Sequence, residues 1–242
     1  MGKKGLEERI QRLEKNIQHL LDIHKIQNLM GKYEYLHTAG MNVELVDGCF
    51  ALKTPGLRVE LPTWGIYEGP EGIKKAYAGI FDHLYHMHAE EMKKLYPGIE
   101  FKKERAGAMV QHSLTTPVIE VAGDGKTAKG VWISPGHETM ALEGKLTAHW
   151  AWAKYGIDFI KEDGVWKIWH LHVYPIFYTP YEKSWADVEE NKEMPDFLKT
   201  FPDHLKANRP CTYDAAYNRK YVPEYIPVPP EPYETFDETK AY

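Results

Sequence analysis

Apolar residues along the chain change their spacing twice, and the changes mark out its elements. Leu6, Ile10, Leu13, Ile17 and Leu20 recur in steps of four and three, with Glu7, Glu8, Arg9, Arg12 and Glu14 between them. That stripe predicts a helix with one apolar seam, two heptads long. Two heptads are too few for a self-sufficient coiled coil, so the leader is expected to pack on its own domain or on a neighbouring subunit. Asp22 reads as the cap of a second helix over 23–38, where Ile23, Ile26, Leu29, Met30 and Tyr33 keep helical spacing. Glu34, His37 and Thr38 then share a face, and Gly40 ends the helix in a left-handed cap. The mixed segment 42–66 holds a short helical turn and a strand, Leu57–Leu61, stopped by Pro62. Glu68-Gly-Pro-Glu-Gly opens a third helix with Pro70 in its first turn. The polar stretch 89–104 reads as a flap.

From Met109 the period becomes two. Residues 109–121 and 128–137 flank Asp124-Gly125, a turn signal that reverses twisted strands. Pairing carried outward from that turn sets His112 opposite His137, on a face shared with Val110, Leu114, Thr116 and Val118. Pro117 and Pro135 each remove a ladder donor, and one bulge between turn and histidines reverses that parity. A second hairpin centres on Asp163-Gly164. Its pairing puts Trp166, Ile168, His170, His172 and Tyr174 on one face with Tyr155, Ile157 and Phe159, a candidate pocket wall. Trp150, Trp152, Trp169, Leu171 and Val173 fall on the other face, where so much apolar surface calls for cover by another subunit or by the tail. From about 178 prolines exclude helix and central strand and favour extended chain, interleaved with tyrosines as an arm on a protein surface.

Composition narrows the function. The 242 residues are 43% hydrophobic and 13% aromatic, enough for a substantial core. A formal charge of −5 without a basic stripe leaves no electrostatic footprint for nucleic acid. Cys49 and Cys211 have no metal or redox spacing. No apolar run reaches the roughly 18 residues of a membrane span, and no signal-peptide core is visible at the N-terminus, so a soluble cytoplasmic protein is expected.

Helices followed by antiparallel strands give an α+β order, with helices on one side of a curved sheet. Several segments in order resemble the SnoaL-like branch of the nuclear transport factor 2-like superfamily: residues 6–10, 22–33, Tyr67-Glu-Gly-Pro-Glu-Gly-Ile73, Gln111-His112, 123–132 and Asp163-Gly-Val-Trp-Lys-Ile168. The likeness covers roughly residues 6–177. It implies a cone-shaped α+β barrel with a mostly antiparallel sheet, three covering helices and an internal pocket. The organisation expected is a helical leader over 1–22, the barrel domain over 23–177 and a C-terminal arm over 178–242 that wraps an oligomer. The resemblance also implies cofactor-free lyase or isomerase chemistry and a homotrimer. In the family's dehydratases a strand histidine is the base, and His112 falls at that place. Tyr33 falls at a helix tyrosine of the bile-acid dehydratase. The family's partner carboxylate belongs near Thr38, which cannot orient an imidazolium, and Glu34 one turn earlier is the substitute.

An imidazole needs little tuning to act as a base near neutrality. The expected catalytic set is therefore His112, Tyr33, Glu34 and His137, with Tyr35, Thr38, Trp64, His170, His172 and Tyr174 contacting the substrate. Neither His86-Met-His88 nor His170-Leu-His172 is joined by a further ligand at metal spacing, so no metal and no cofactor are expected. The first reading is a lyase that releases water or formaldehyde from a hydrophobic hydroxylated substrate, phenolic or polycyclic. An isomerase or aldol cyclase uses the same base, and a non-catalytic binding protein is the reading from another class.

Overall fold

The computed structural model describes residues 3–187, 201–220 and 222–242. Helix α1 runs unbroken over Lys3–Ala39, so the cap expected at Asp22 is absent. Asp22 is buried instead, and its carboxylate accepts from Trp166 Nε1 and Lys161 Nζ, each at 2.9 Å. A side chain committed to the sheet leaves the backbone free to continue helical. After α2 (Asn42–Cys49), α3 (Gly69–Lys74) passes through a π-helical turn, Lys75–Gly79, straight into α4 (Ile80–Leu95). The helix thus takes up part of the stretch read as a flap, because Leu84, Tyr85, His88 and Met92 are buried along one side. His88 holds this helix to the sheet: Nδ1 accepts from Ala141 N and Nε2 donates to Ala106 O, both at 2.9 Å. No helix among the described residues is long and apolar enough to cross a membrane.

Eight strands form one curved, open sheet: β1 (Arg58–Leu61), β2 (Gly65–Glu68), β3 (Met109–His112), β4 (Thr115–Val121), β5 (Thr127–Ser134), β6 (Gly136–Leu142), β7 (Lys145–Glu162) and β8 (Val165–Pro180). Their order is β2-β1-β8-β7-β5-β4, with β6 on the remaining length of β7 and β3 beyond it. Only β1 and β8 pair in parallel. Strands β5 and β6 share one edge of β7 and meet at Pro135, which has no N–H to continue a ladder. The sheet curls there, and with the helices on its concave side it forms the α+β cone the resemblance implies. Inside it pack Ile26, Met30, Tyr33, Phe50, Tyr77, Tyr155, Ile157, Phe159, Ile168 and Leu171.

Both hairpins begin in the expected register and then slip by one residue. In the first, Val121↔Ala128 to Val118↔Val131 match, but two residues, Thr116 and Pro117, then oppose Trp132 alone before Thr115↔Ile133. The bulge sits where Pro117 cannot donate and Thr116 adopts φ 48°. In the second, Glu162↔Val165 to Phe159↔Ile168 match, and Trp169 is the extra residue before Asp158↔His170. Side chains alternate along a strand, so each bulge exchanges the faces of the residues beyond it, in the second hairpin as far as Ala153↔Pro175, where Ile176 is a further extra residue that restores the original faces. Leu171 and Val173 therefore join the core, and His170, His172 and Tyr174 face outward with Asp158, Gly156 and Lys154.

The described tail covers that outer surface of this chain's own sheet. Gly123 N donates to Tyr233 O at 2.8 Å, Tyr217 N to Ile176 O at 2.7 Å, and Lys154 Nζ to Ile226 O at 2.6 Å. Phe236 packs on Trp169 and Tyr242 lies over Gly156, where a Cβ would come within 2.7 Å of the ring.

Candidate active site

A cavity of about 460 Å³ opens between the C-terminal half of α1 and strands β3 to β5. Gln27, Met30, Glu34, Tyr35 and Thr38 line it from the helix, and Gln111, His112, Leu114, Pro117 and Trp132 from the sheet. Its size falls in the range of about 300–1,000 Å³ typical of small-molecule sites.

The β3–β6 ladder places the imidazole. His112 lies opposite Gly136 and Val110 opposite Glu138, so His112 and Glu138 project from one face, one step apart on neighbouring strands. His112 Nε2 is 3.2 Å from Glu138 Oε1, and Tyr178 Oη donates to Glu138 Oε2 at 3.2 Å. The ring can lie flat on the ladder because Gly136 has no side chain: a Cβ there would sit 2.3 Å from His112 Nδ1 and 2.4 Å from Ala151 O. Nδ1 is buried and has no hydrogen-bond partner among the described residues. Burial of His112 favours its neutral form, but the bond and charge of Glu138, with Glu34 behind them, outweigh it and raise the pKa above the usual value. For Glu138 burial works upward, and His112 and Tyr178 reverse it to a net lowering.

Glu34 has the opposite electrostatics. It lies at the cavity wall, 8% exposed, and neither carboxylate oxygen has a hydrogen-bond partner of good geometry. Desolvation pushes its pKa up to about 8, against smaller downward pulls from His112 and the Tyr155 hydroxyl. At neutral pH it is a carboxylic acid with a proton to give. One turn on, His37 stacks on His112 with ring centroids 5.9 Å apart, and Nδ1 is 3.3 Å from Asn42 Oδ1. Burial, helped by the charge on His112, holds His37 down to about 4, so it is neutral beside its partner. A buried acid, a histidine–carboxylate pair and a neutral imidazole thus converge beside one cavity, an arrangement suited to moving protons.

The remaining expected residues distribute unevenly. Tyr33 is buried, and its hydroxyl shares a 2.6 Å bond with Tyr77 Oη away from the cavity lining. Burial raises its pKa far above the usual value, as it does for Tyr77. Tyr35 and Thr38 stand at the mouth, Tyr35 84% exposed. Trp64 packs on Phe81 and Phe201, outside the lining. His137 pairs with Gln111 and points to the other side of β6, against Trp150 at 5.0 Å. The first bulge has exchanged His137 for Glu138 as the neighbour of His112. His170, His172 and Tyr174 are likewise not on the cavity wall: the second bulge turns them under the tail. There His170 Nδ1 is 2.9 Å from Asp158 Oδ2, and His172 Nε2 is 3.3 Å from Glu60 Oε1, with the His172 ring stacked on Tyr174 at 3.8 Å. Both rings of that His-x-His do point one way, each beside its own carboxylate.

Glu138 was missed in the sequence because it adjoins His137. Either side of β6 offered one partner, and only the register decides between them. His37 had a visible signal, its face shared with Glu34.

A protein-family model described as a SnoaL-like domain matches residues 18–172. A hexachlorocyclohexane dehydrochlorinase (LinA) Type2 superimposes with TM-score 0.52 at 18% identity, covering 68% of this chain and 92% of its own. A LinA-type3 dehydrochlorinase from Novosphingobium barchaimii gives 0.51 at 17% identity, over 68% and 93%. A candidate scytalone dehydratase from Novosphingobium aromaticivorans gives 0.50 at 17%, over 69% and 91%. At such identities the likeness is one of fold. No curated protein sequence matches the chain.

Proposed function

This chain belongs to the SnoaL-like family, and on that premise we propose that it is a cofactor-independent lyase that eliminates water from a neutral hydroxylated aromatic or polycyclic substrate. The observation that carries the reading is Glu34, a buried carboxyl without a well-formed hydrogen bond among the described residues, at the same cavity as a histidine already paired to a carboxylate. Two groups whose pKa values are driven apart by their surroundings are the pattern of an acid and a base. The similar structures named as dehydrochlorinases and a dehydratase add an elimination reaction as the class. Among the described residues no lysine or arginine lines the cavity, while amides and hydroxyls at Gln27, Gln111, Thr38 and Ser113 share it with Met30, Leu114 and Trp132, which suits an uncharged ligand with an apolar body.

In this mechanism Glu138 holds the Nε2–H of His112, fixing the tautomer that leaves Nδ1 as the basic nitrogen. The ring turns off the Gly136 backbone, and Nδ1 takes a proton from the carbon next to the carbinol carbon. The C–H electron pair becomes the new C=C bond as the C–O bond breaks. Glu34 gives its proton to the departing hydroxyl, which leaves as water. The imidazolium then returns a proton to Glu34 through solvent in the emptied cavity. Tyr33 and Tyr77 back the wall rather than react. Glu138 supplies from β6 the carboxylate that the helix lacks at Thr38, and of the two expected fragments water is the one this reading favours.

The test is a panel of neutral β-hydroxyaryl and polycyclic alcohols, followed by absorbance of the conjugated alkene and by a formaldehyde trap. His112→Gln and Glu34→Gln are expected to lower kcat/KM at least about a hundredfold while staying folded. Rate should climb with pH as His112 loses its proton, above its ordinary value, and fall near pH 8 as Glu34 ionises. Formaldehyde without alkene would replace dehydration by the carbon–carbon reaction; a folded, fully active His112→Gln protein would end both.

A further inference from the structure

The first five turns of α1 carry an apolar stripe that nothing among the described residues covers. Every residue from Leu6 to Gln18 is exposed, and Leu6, Ile10, Leu13, Ile17 and Leu20 are between 45% and 66% exposed. Their spacing makes Leu6, Leu13 and Leu20 the d positions of a heptad and Ile10 and Ile17 the a positions. We propose that this segment, too short to pair as an isolated peptide but held helical because α1 continues unbroken into the body, forms a two-stranded, parallel coiled coil with the same segment of a second copy of this chain.

Three features of the residues choose that occupant. Isoleucine at a with leucine at d favours two parallel strands, over the three that the family resemblance implies. In that arrangement a g residue faces the e residue of the next heptad across the seam, which sets Arg9 of one chain against Glu14 of the other, twice by symmetry. An antiparallel partner would bring e against e, and Glu7 and Glu14 would meet like charges. The helix is therefore complementary to itself in one orientation, in core and in flanking charge. The geometry of attachment also permits it. Asp22, Ile26, Met30, Tyr33 and His37 face the body, and at about 100° per residue that stripe lies roughly 160° around the helix from the seam. Beyond Leu20 the next a and d positions are His24 and Gln27, so the apolar seam stops where α1 meets its own sheet at Asp22.

The pairing is independent of any activity and is tested on the full chain by sedimentation equilibrium. The wild-type assembly is expected to have twice the mass of the Ile10→Asp, Ile17→Asp variant, whose changed positions are exposed within the single chain and leave its body folded by near-ultraviolet circular dichroism. Leu13→Cys, a d position that meets its own copy only in a parallel, in-register pair, should give a covalent dimer under mild oxidation that wild-type protein does not. Arg9→Glu and Glu14→Arg proteins should each pair more weakly with themselves than with one another. A wild-type mass unchanged by the two aspartates, a monomeric wild type, or no Leu13→Cys cross-link would each overturn the proposal.

Discussion

On the inner side of the sheet His112 lies 3.2 Å from Glu138, and on the outer side His170 lies 2.9 Å from Asp158. The chemical groups are the same; their surroundings are not. Asp158 also accepts from Lys129 Nζ at 2.5 Å and from Tyr242 N at 2.9 Å, while Lys129 donates to Lys240 O and Arg58 to Tyr242 O. Phe236 closes over Trp169, and His170 and Asp158 are fully buried. Asp158 spends its bonding capacity on tying down the tail, and His170 Nε2, buried beneath it, has no hydrogen-bond partner among the described residues. The inner pair borders a cavity, at which Nδ1 of His112 and both oxygens of Glu34 lack a well-formed hydrogen bond among the described residues. Since an unpaired buried polar group costs stability, such groups are informative where they survive. A histidine beside a carboxylate, with one ring nitrogen unpartnered, is common to both sides, and access to a cavity distinguishes a reactive site from a structural joint.

Gly136→Ala should break this contrast most severely. Its Cβ would collide with the His112 ring and with a backbone oxygen, so a loss of at least about a hundredfold in kcat/KM is expected, with destabilisation of roughly 1–3 kcal/mol from overpacking. Thermal unfolding and steady-state rates check both; an active Gly136→Ala protein would show that the ring does not need its place on the ladder.

Glu34→Gln should sharpen the contrast through stability. The folded carboxyl keeps its proton up to about pH 8, whereas the unfolded one loses it near the ordinary value of 4.5. Across that window the folded state holds the extra proton, so wild-type stability falls as pH rises, by an amount on the order of a few kcal/mol at pH 9. Glutamine cannot ionise. The variant is expected to match wild type near pH 4 and to exceed it at pH 9 in urea melts, while its turnover is lost. Parallel stability curves for the two proteins would contradict a buried, protonated Glu34.

The smallest effect belongs to the outer side. Asp158→Asn keeps an acceptor for Tyr242 N but removes the charge facing Lys129, so the tail should open more often, with amide exchange at Tyr242 about tenfold faster. Turnover should be unchanged. Activity falling in step with tail opening would place the outer pair in the function after all.

Parts of both regions were legible in the residues. His112 could be singled out because an imidazole on a mostly apolar strand is uncommon, and Glu34 because helical spacing sets it on one face with His37. Glu138, by contrast, was hidden behind its neighbour His137, and the pocket role expected of His170, His172 and Tyr174 fails for the same reason. Pro117 and Pro135 warned of irregularity without saying which way it would go.

The turns at Asp124-Gly125 and Asp163-Gly164, the helix of 68 onward and the pairing nearest each turn follow from local rules: backbone conformations that glycine and proline favour or forbid, and the period of apolar side chains. Which face a distant strand residue occupies does not. A single extra residue at Pro117 or Trp169 costs little locally, yet it reverses the side chains that follow it until another bulge, such as that at Ile176, reverses them again. The bulges are settled by what the whole sheet can bury: Leu171 and Val173 against the helices, and His170 and His172 against a tail more than thirty residues further along the chain.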